Sequence, residues 1–86
     1  MPKVSEFFGI AIYFFFNEHG PPHFHAYYSG AKAMIAIEDL RVLRGQLPPR
    51  AMGLVVEWAS LRREELRRAW AQANSNRSVD PIEPLK

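Results

Sequence analysis

The apolar period of this chain changes once. Apolar residues recur every second position within three segments, Phe8 to Phe16, His23 to Ser29 and Ala31 to Ile37, and at close to the helical spacing of about 3.6 from Pro49 to Ala73, with Leu47-Pro48-Pro49 between. The first pattern sets side chains on alternate faces of a sheet, and the second gathers them into one stripe of a helix. Strands followed by a helix, in 86 residues, predict an α+β domain: a small antiparallel sheet of three to four strands packed against one long C-terminal helix. With no repeat and no linker, one domain over residues 1–86 is expected, with the sheet at about 4–44, the helix at about 49–73 and an extended tail at 79–86.

The first strand is read from Phe8, Ile10, Ile12, Phe14 and Phe16, which alternate with Gly9, Ala11, Tyr13 and Phe15. Asn17 to Pro22 ends it in a stiff loop, because consecutive prolines fix the backbone and remove donors. His23 to Ser29 resumes, with His23, His25 and Tyr27 on one face and Phe24, Ala26 and Tyr28 on the other. Ser29-Gly30 is a turn into a third strand, Ala31 to Ile37, and Leu40 to Leu43 is a short fourth before Gly45. In the helix, Leu54, Val55, Trp58, Leu61, Leu66, Ala69 and Trp70 share the apolar side. The prolines at 81 and 84 hold the tail extended, and Ile82 and Leu85 make it a segment able to add along a sheet edge or dock in a partner's groove, with docking within its own chain the preferred expectation.

A hydrophobic share of 48% supports a packed core, and the absence of cysteine suits a reducing cytoplasm and excludes thiolate metal sites. The apolar stretch Phe7 to Phe16 lacks a basic leader, a cleavage site and the length of a membrane span, so a soluble protein with no membrane partner is expected. A net charge of +2 does not diagnose nucleic-acid binding, but seven arginines against three glutamates between Arg41 and Trp70 concentrate positive charge locally. P-loop, dinucleotide-turn, nucleophile and paired-cysteine motifs are all missing.

Chemistry is concentrated in His19-Gly20-Pro21-Pro22-His23-Phe24-His25, which holds all three histidines. His23 and His25, two apart on a strand, leave one face about 6–7 Å apart. If the loop returns His19 over that face, three imidazoles hold a transition metal, Zn, Ni or Cu, and keep a position open for water or substrate. Glu18, Glu38 or Asp39 would supply a carboxylate, and protons would compete for the ligands below about pH 6.5. Without metal, His19, His23 and His25 are candidate acid–base groups for RNA cleavage, assisted by Tyr27 and nearby arginines. Tyr13, Tyr27 and Tyr28 offer hydroxyls and stacking faces to single-stranded RNA. The plainer alternative makes these histidines turn and edge-strand residues bonded to backbone and carboxylates.

On the helix, Arg63, Arg67 and Trp70 are spaced to share one stripe, a candidate nucleic-acid grip of two guanidinium groups beside an aromatic ring. The competing reading is a solvated face on which Glu64 pairs with Arg67 or Arg68. Trp58 is read as core.

The opening Met1-Pro2-Lys3-Val4-Ser5-Glu6-Phe7-Phe8-Gly9-Ile10 and the run His19 to Ala26 resemble the small prokaryotic domain-of-unknown-function family number 4160. The likeness continues through Leu47-Pro48, Glu57-Trp58, Glu65-Leu66 and Ile82-Glu83-Pro84-Leu85, and so covers the whole chain. Pro-Pro-His-Phe-His is its most distinctive element. The family often carries Asp before the first histidine, where this chain has Glu18, and His and Asn in the helix, where this chain has Arg62 and Ala69. The latter differences weaken any role for the helix as donor of a catalytic imidazole or amide.

The resemblance implies a gene paired with a second small protein, in the manner of toxin–antitoxin modules. The combined expectation is a cytoplasmic module member that binds or cleaves RNA through the histidine-rich loop and strand. Its alternatives are a transition-metal-binding domain on the same histidines, or a non-catalytic interaction subunit. Expected partners are RNA, the adjacent gene's product or a second copy of the chain.

Overall fold

The computed structural model describes residues 2–86, so Met1 of the expected domain lies outside the described residues. Among the described residues five strands form one antiparallel meander: β1 (Lys3–Phe7), β2 (Ile10–Tyr13), β3 (His23–Tyr28), β4 (Ala31–Ala36) and β5 (Val42–Gln46). Two helices follow, α1 (Pro49–Leu61) and α2 (Arg63–Asn74). The α+β class and antiparallel sheet agree with the sequence reading, whereas its three or four strands and single helix do not.

The additional strand arises at Phe8-Gly9. Both residues have positive φ, +50° and +80°, so they form the two-residue turn that suits the twist of a hairpin. Lys3–Phe7 therefore pairs with Ile10–Tyr13, and Phe8 projects into solvent instead of opening a strand. At the far end β2 stops at Tyr13, although Phe14 remains buried and its N–H donates to the Pro2 carbonyl at 3.1 Å.

β5 starts at Val42 and passes through Gly45 instead of ending before it. Met34 faces Arg44 while Ile35 faces Val42, leaving Leu43 as the extra residue of a bulge. Gly45 has φ +78°, and a Cβ there would lie 2.3 Å from the Lys32 carbonyl oxygen. Gly45→Ala is therefore expected to destabilise the protein by about 2 kcal/mol or more in urea denaturation. Gly53, in the middle of α1 with open space around it, has the opposite expectation: Gly53→Ala should stabilise by about 0.5–1 kcal/mol.

The expected single helix is broken at one residue. Arg62, at φ −122° and ψ 25°, closes α1 by donating its N–H to Ala59 O at 3.1 Å. It also opens α2 by accepting from Leu66 N at 2.9 Å. Val55, Trp58, Leu66, Ala69 and Ala73 are buried, whereas Leu61, expected on the apolar stripe, is 67% exposed beside the break. Arg62 lies within the stripe that a continuous helix would bury, and the break leaves it only partly covered.

The core lies between the helices and the sheet face that carries Ile10, Ile12, Phe24, Ala26, Ala33 and Ile35. At its centre Trp58 packs against Phe7 at 5.1 Å and edge-on to Phe24 at 6.0 Å between ring centroids. The alternate residues of the strands, among them Tyr13, His25, Tyr27, Lys32, Met34 and Arg44, form the opposite and less covered face.

The tail docks on its own chain. Ile82 is buried and its N–H donates to the Val4 carbonyl of β1 at 2.7 Å. Trp58 Nε1–H donates to the Glu83 carbonyl at 2.7 Å. Deletion of residues 79–86 removes an isoleucine's burial and one indole hydrogen bond, and is expected to cost about 3 kcal/mol in thermal or urea unfolding.

Candidate functional site

At the start of β3 the chain bends through Gly20-Pro21-Pro22, with Gly20 at φ +92°, and this turn returns Glu18 toward the strand. Pro22 O accepts from Ile37 N at 3.0 Å, which anchors the loop to the end of β4. His23 and His25 then project on the same face, as their spacing requires, with ring centroids 5.2 Å apart. Glu18 Oε1 stands between them, 3.0 Å from His23 Nε2 and 2.8 Å from His25 Nε2.

Hydrophobic neighbours fix both rings. His23 is only 3% exposed and lies against Trp70 of α2, 4.9 Å between centroids. His25 lies against Phe15 at 4.3 Å. The Glu18, His23 and His25 ligand atoms all lie within 4.8 Å of one another. Glu18 and His25 retain partial exposure, so the cluster is closed on the Trp70 side and open beyond His25.

His23 sets the electrostatic requirement. Its Nδ1 is 2.8 Å from the Pro21 carbonyl oxygen, which only accepts, so Nδ1 carries hydrogen. A neutral imidazole has one N–H, leaving a lone pair on Nε2 aimed at Glu18 Oε1. Two acceptors at 3.0 Å need a cation between them, either a proton or a metal ion. An Nδ1–H held by a backbone carbonyl is also the arrangement that orients the opposite nitrogen of a metal-binding histidine.

His19 is exposed and stands apart from the Glu18–His23–His25 group. Tyr27 is on the same sheet face as His25 and meets Tyr13 edge-on at 5.2 Å. Glu38 accepts from Arg67 at 3.0 Å, and Asp39 accepts from the Arg41 backbone N–H at 3.1 Å, so these carboxylates are engaged away from the histidines. Arg63 Nε donates to Ile37 O at 3.3 Å, and Arg67 also pairs with Glu64 at 3.1 Å. The hydrogen bond it donates to Glu38 is the chief cause holding the Arg67 guanidinium above its ordinary pKa.

Thus Arg63, Arg67 and Trp70 are all engaged within the chain. In the sequence Glu18 is one candidate carboxylate among three, and no local pattern signals that Trp70 covers His23. The available signal for Glu18 was the Gly20-Pro21-Pro22 turn, which returns the residue before His19 to the strand after it.

The fold and site define an α+β meander domain with a two-histidine, one-carboxylate cluster at the mouth of its third strand. The family model "Domain of unknown function (DUF4160)" matches residues 9–71, most of the chain and the whole cluster, and the protein belongs to that family. No curated protein and no solved structure matches the chain. Among the described residues no helix is long and apolar enough to cross a membrane.

Proposed function

We propose that the protein is a transition-metal-binding domain whose ligands are His23 Nε2, His25 Nε2 and a Glu18 carboxylate oxygen. The observation that carries this reading is His23, with one nitrogen committed to a carbonyl and the other facing a carboxylate that His25 shares. Two imidazoles and a carboxylate suit zinc, nickel or copper, and they match the ligand set of hydrolytic zinc centres that keep a position for water. Such an ion would supply an activated water or polarise a phosphoryl or acyl oxygen. The test is the metal content of protein purified without a His tag, followed by titration with Zn, Ni and Cu. One ion per chain, lost in the His23→Ala/His25→Ala double variant, supports the reading; a chain that takes up no metal overturns it.

The uncovered sheet face supports a second reading: a cytoplasmic module member of toxin–antitoxin type acting on RNA. Tyr13, Tyr27, Lys32 and Arg44 on that face provide rings and cations beside the histidines. Expression with and without the adjacent gene's product tests it. Growth arrest relieved by the partner and by His25→Ala is the expected result, and unimpaired growth in the absence of the partner contradicts it.

A further inference from the structure

A groove of about 320 Å³ opens on the sheet face beside His25. Phe15, Glu18, His25 and Tyr27 line one part of it, and Lys32 and Arg44 line another. Strand register accounts for this grouping. Tyr13, His25, Met34 and Arg44 stand in one row across β2 to β5, and Tyr27 faces Lys32 in the row beside it. Adjacent strands are about 4.8 Å apart, so the two cations reach the groove from strands one and two places beyond His25.

These cations differ from the helix arginines already described. Arg67 is held by Glu38 and Glu64, and Arg62 by Glu65. Among the described residues Lys32 and Arg44 form no ion pair with a carboxylate, although both border the same concavity. An anion here meets two unneutralised donors, one of them a guanidinium able to bind phosphate through two N–H groups. Phe15 and Tyr27 supply flat apolar surface, and Glu18 makes the opposite end unfavourable to a phosphate unless a cation stands at the centre. The volume is near the lower end of small-ligand sites, enough for one base with its sugar and phosphate and too small for a duplex.

We infer that this groove is a nucleotide subsite: a base rests on Phe15 and Tyr27, and its phosphate lies between Lys32 and Arg44. The inference deepens the RNA reading of this face and does not depend on metal occupancy. A free nucleotide and one unit of a single-stranded RNA present the same chemistry to it. In the RNA case the adjoining phosphodiester is brought toward the open side of the Glu18–His23–His25 centre.

Binding is measured on metal-stripped protein in chelator, by fluorescence anisotropy with a labelled uridine oligonucleotide and by calorimetry with uridine monophosphate. Lys32→Ser/Arg44→Ser and, separately, Tyr27→Ala are each expected to weaken binding about tenfold or more, the first also reducing the salt dependence. Arg68→Ser/Lys86→Ser removes the same charge from exposed positions elsewhere and is expected to stay within about twofold. Circular dichroism melting confirms that each variant is folded.

Oligonucleotide binding much tighter than the monophosphate assigns the subsite to a strand. Binding of the monophosphate alone assigns it to a free nucleotide and ends the RNA reading while leaving the subsite. RNA binding that survives the Lys32/Arg44 and Tyr27 substitutions overturns the subsite while leaving the RNA reading. Failure to bind either probe, or equal binding of a glutamate-rich peptide, overturns the inference.

Discussion

Metal-stripped protein titrated with zinc should bind one ion per chain, and the Glu18→Gln and His25→Ala variants should each bind it about 100-fold or more weakly. His19→Ala should match the unmodified protein. This contrast separates the observed grouping from the three-histidine site expected from sequence, because His19 is exposed and apart while Glu18 Oε1 lies within 3.0 Å of both ring nitrogens. Glu18 and His25 are preferred to His23 as single-variant tests because they are less deeply packed. Loss of His23 would also open a cavity under Trp70 and release the Pro21 carbonyl. Imidazoles ligate only without the competing proton, so affinity should fall as pH is lowered. Equal loss in His19→Ala and His25→Ala would contradict this assignment of ligands.

Trp58→Ala should be the most damaging single core substitution, costing about 3–5 kcal/mol. Trp58 is almost fully buried, touches Phe7 and Phe24, and ties the tail through its indole N–H to Glu83 O. Total stabilities are about 5–15 kcal/mol, and a domain this small belongs toward the low end, so much of the variant should be unfolded near physiological temperature. Trp58→Phe keeps most of the ring packing and loses the indole hydrogen bond, so a cost of about 1–2 kcal/mol is expected. Urea denaturation followed by circular dichroism checks both values. A cost below about 1 kcal/mol for Trp58→Ala would contradict a central packing role.

Alternation was enough to place β3 and β4 and to assign their faces, because Phe24, Ala26, Ala33 and Ile35 are buried as a period of two requires. It could not locate the first hairpin, since Phe8 satisfies the same apolar pattern while occupying a turn with positive φ. Nor was the helix break legible: Arg62 is neither glycine nor proline, and the spacing of Val55, Trp58, Leu66 and Ala69 also fits an unbroken helix. The histidine pair followed from strand geometry alone. Choosing Glu18 over His19 as its companion required the backbone path through Gly20, and placing Trp70 over His23 required the direction α2 takes after Arg62. The first is set by the conformation of one short loop, and only the second depends on a contact between segments far apart in the chain.

The docked tail also limits how these molecules can add to one another. Ile82 meets the backbone of β1, so that border of the sheet is occupied by the chain's own residues, while β5 at the other border is largely exposed. Extension of a sheet from molecule to molecule needs two free borders on each, one to receive and one to offer. With a single border free, strand-to-strand addition ends at a closed pair, and a continuous fibre would first require the tail to be displaced.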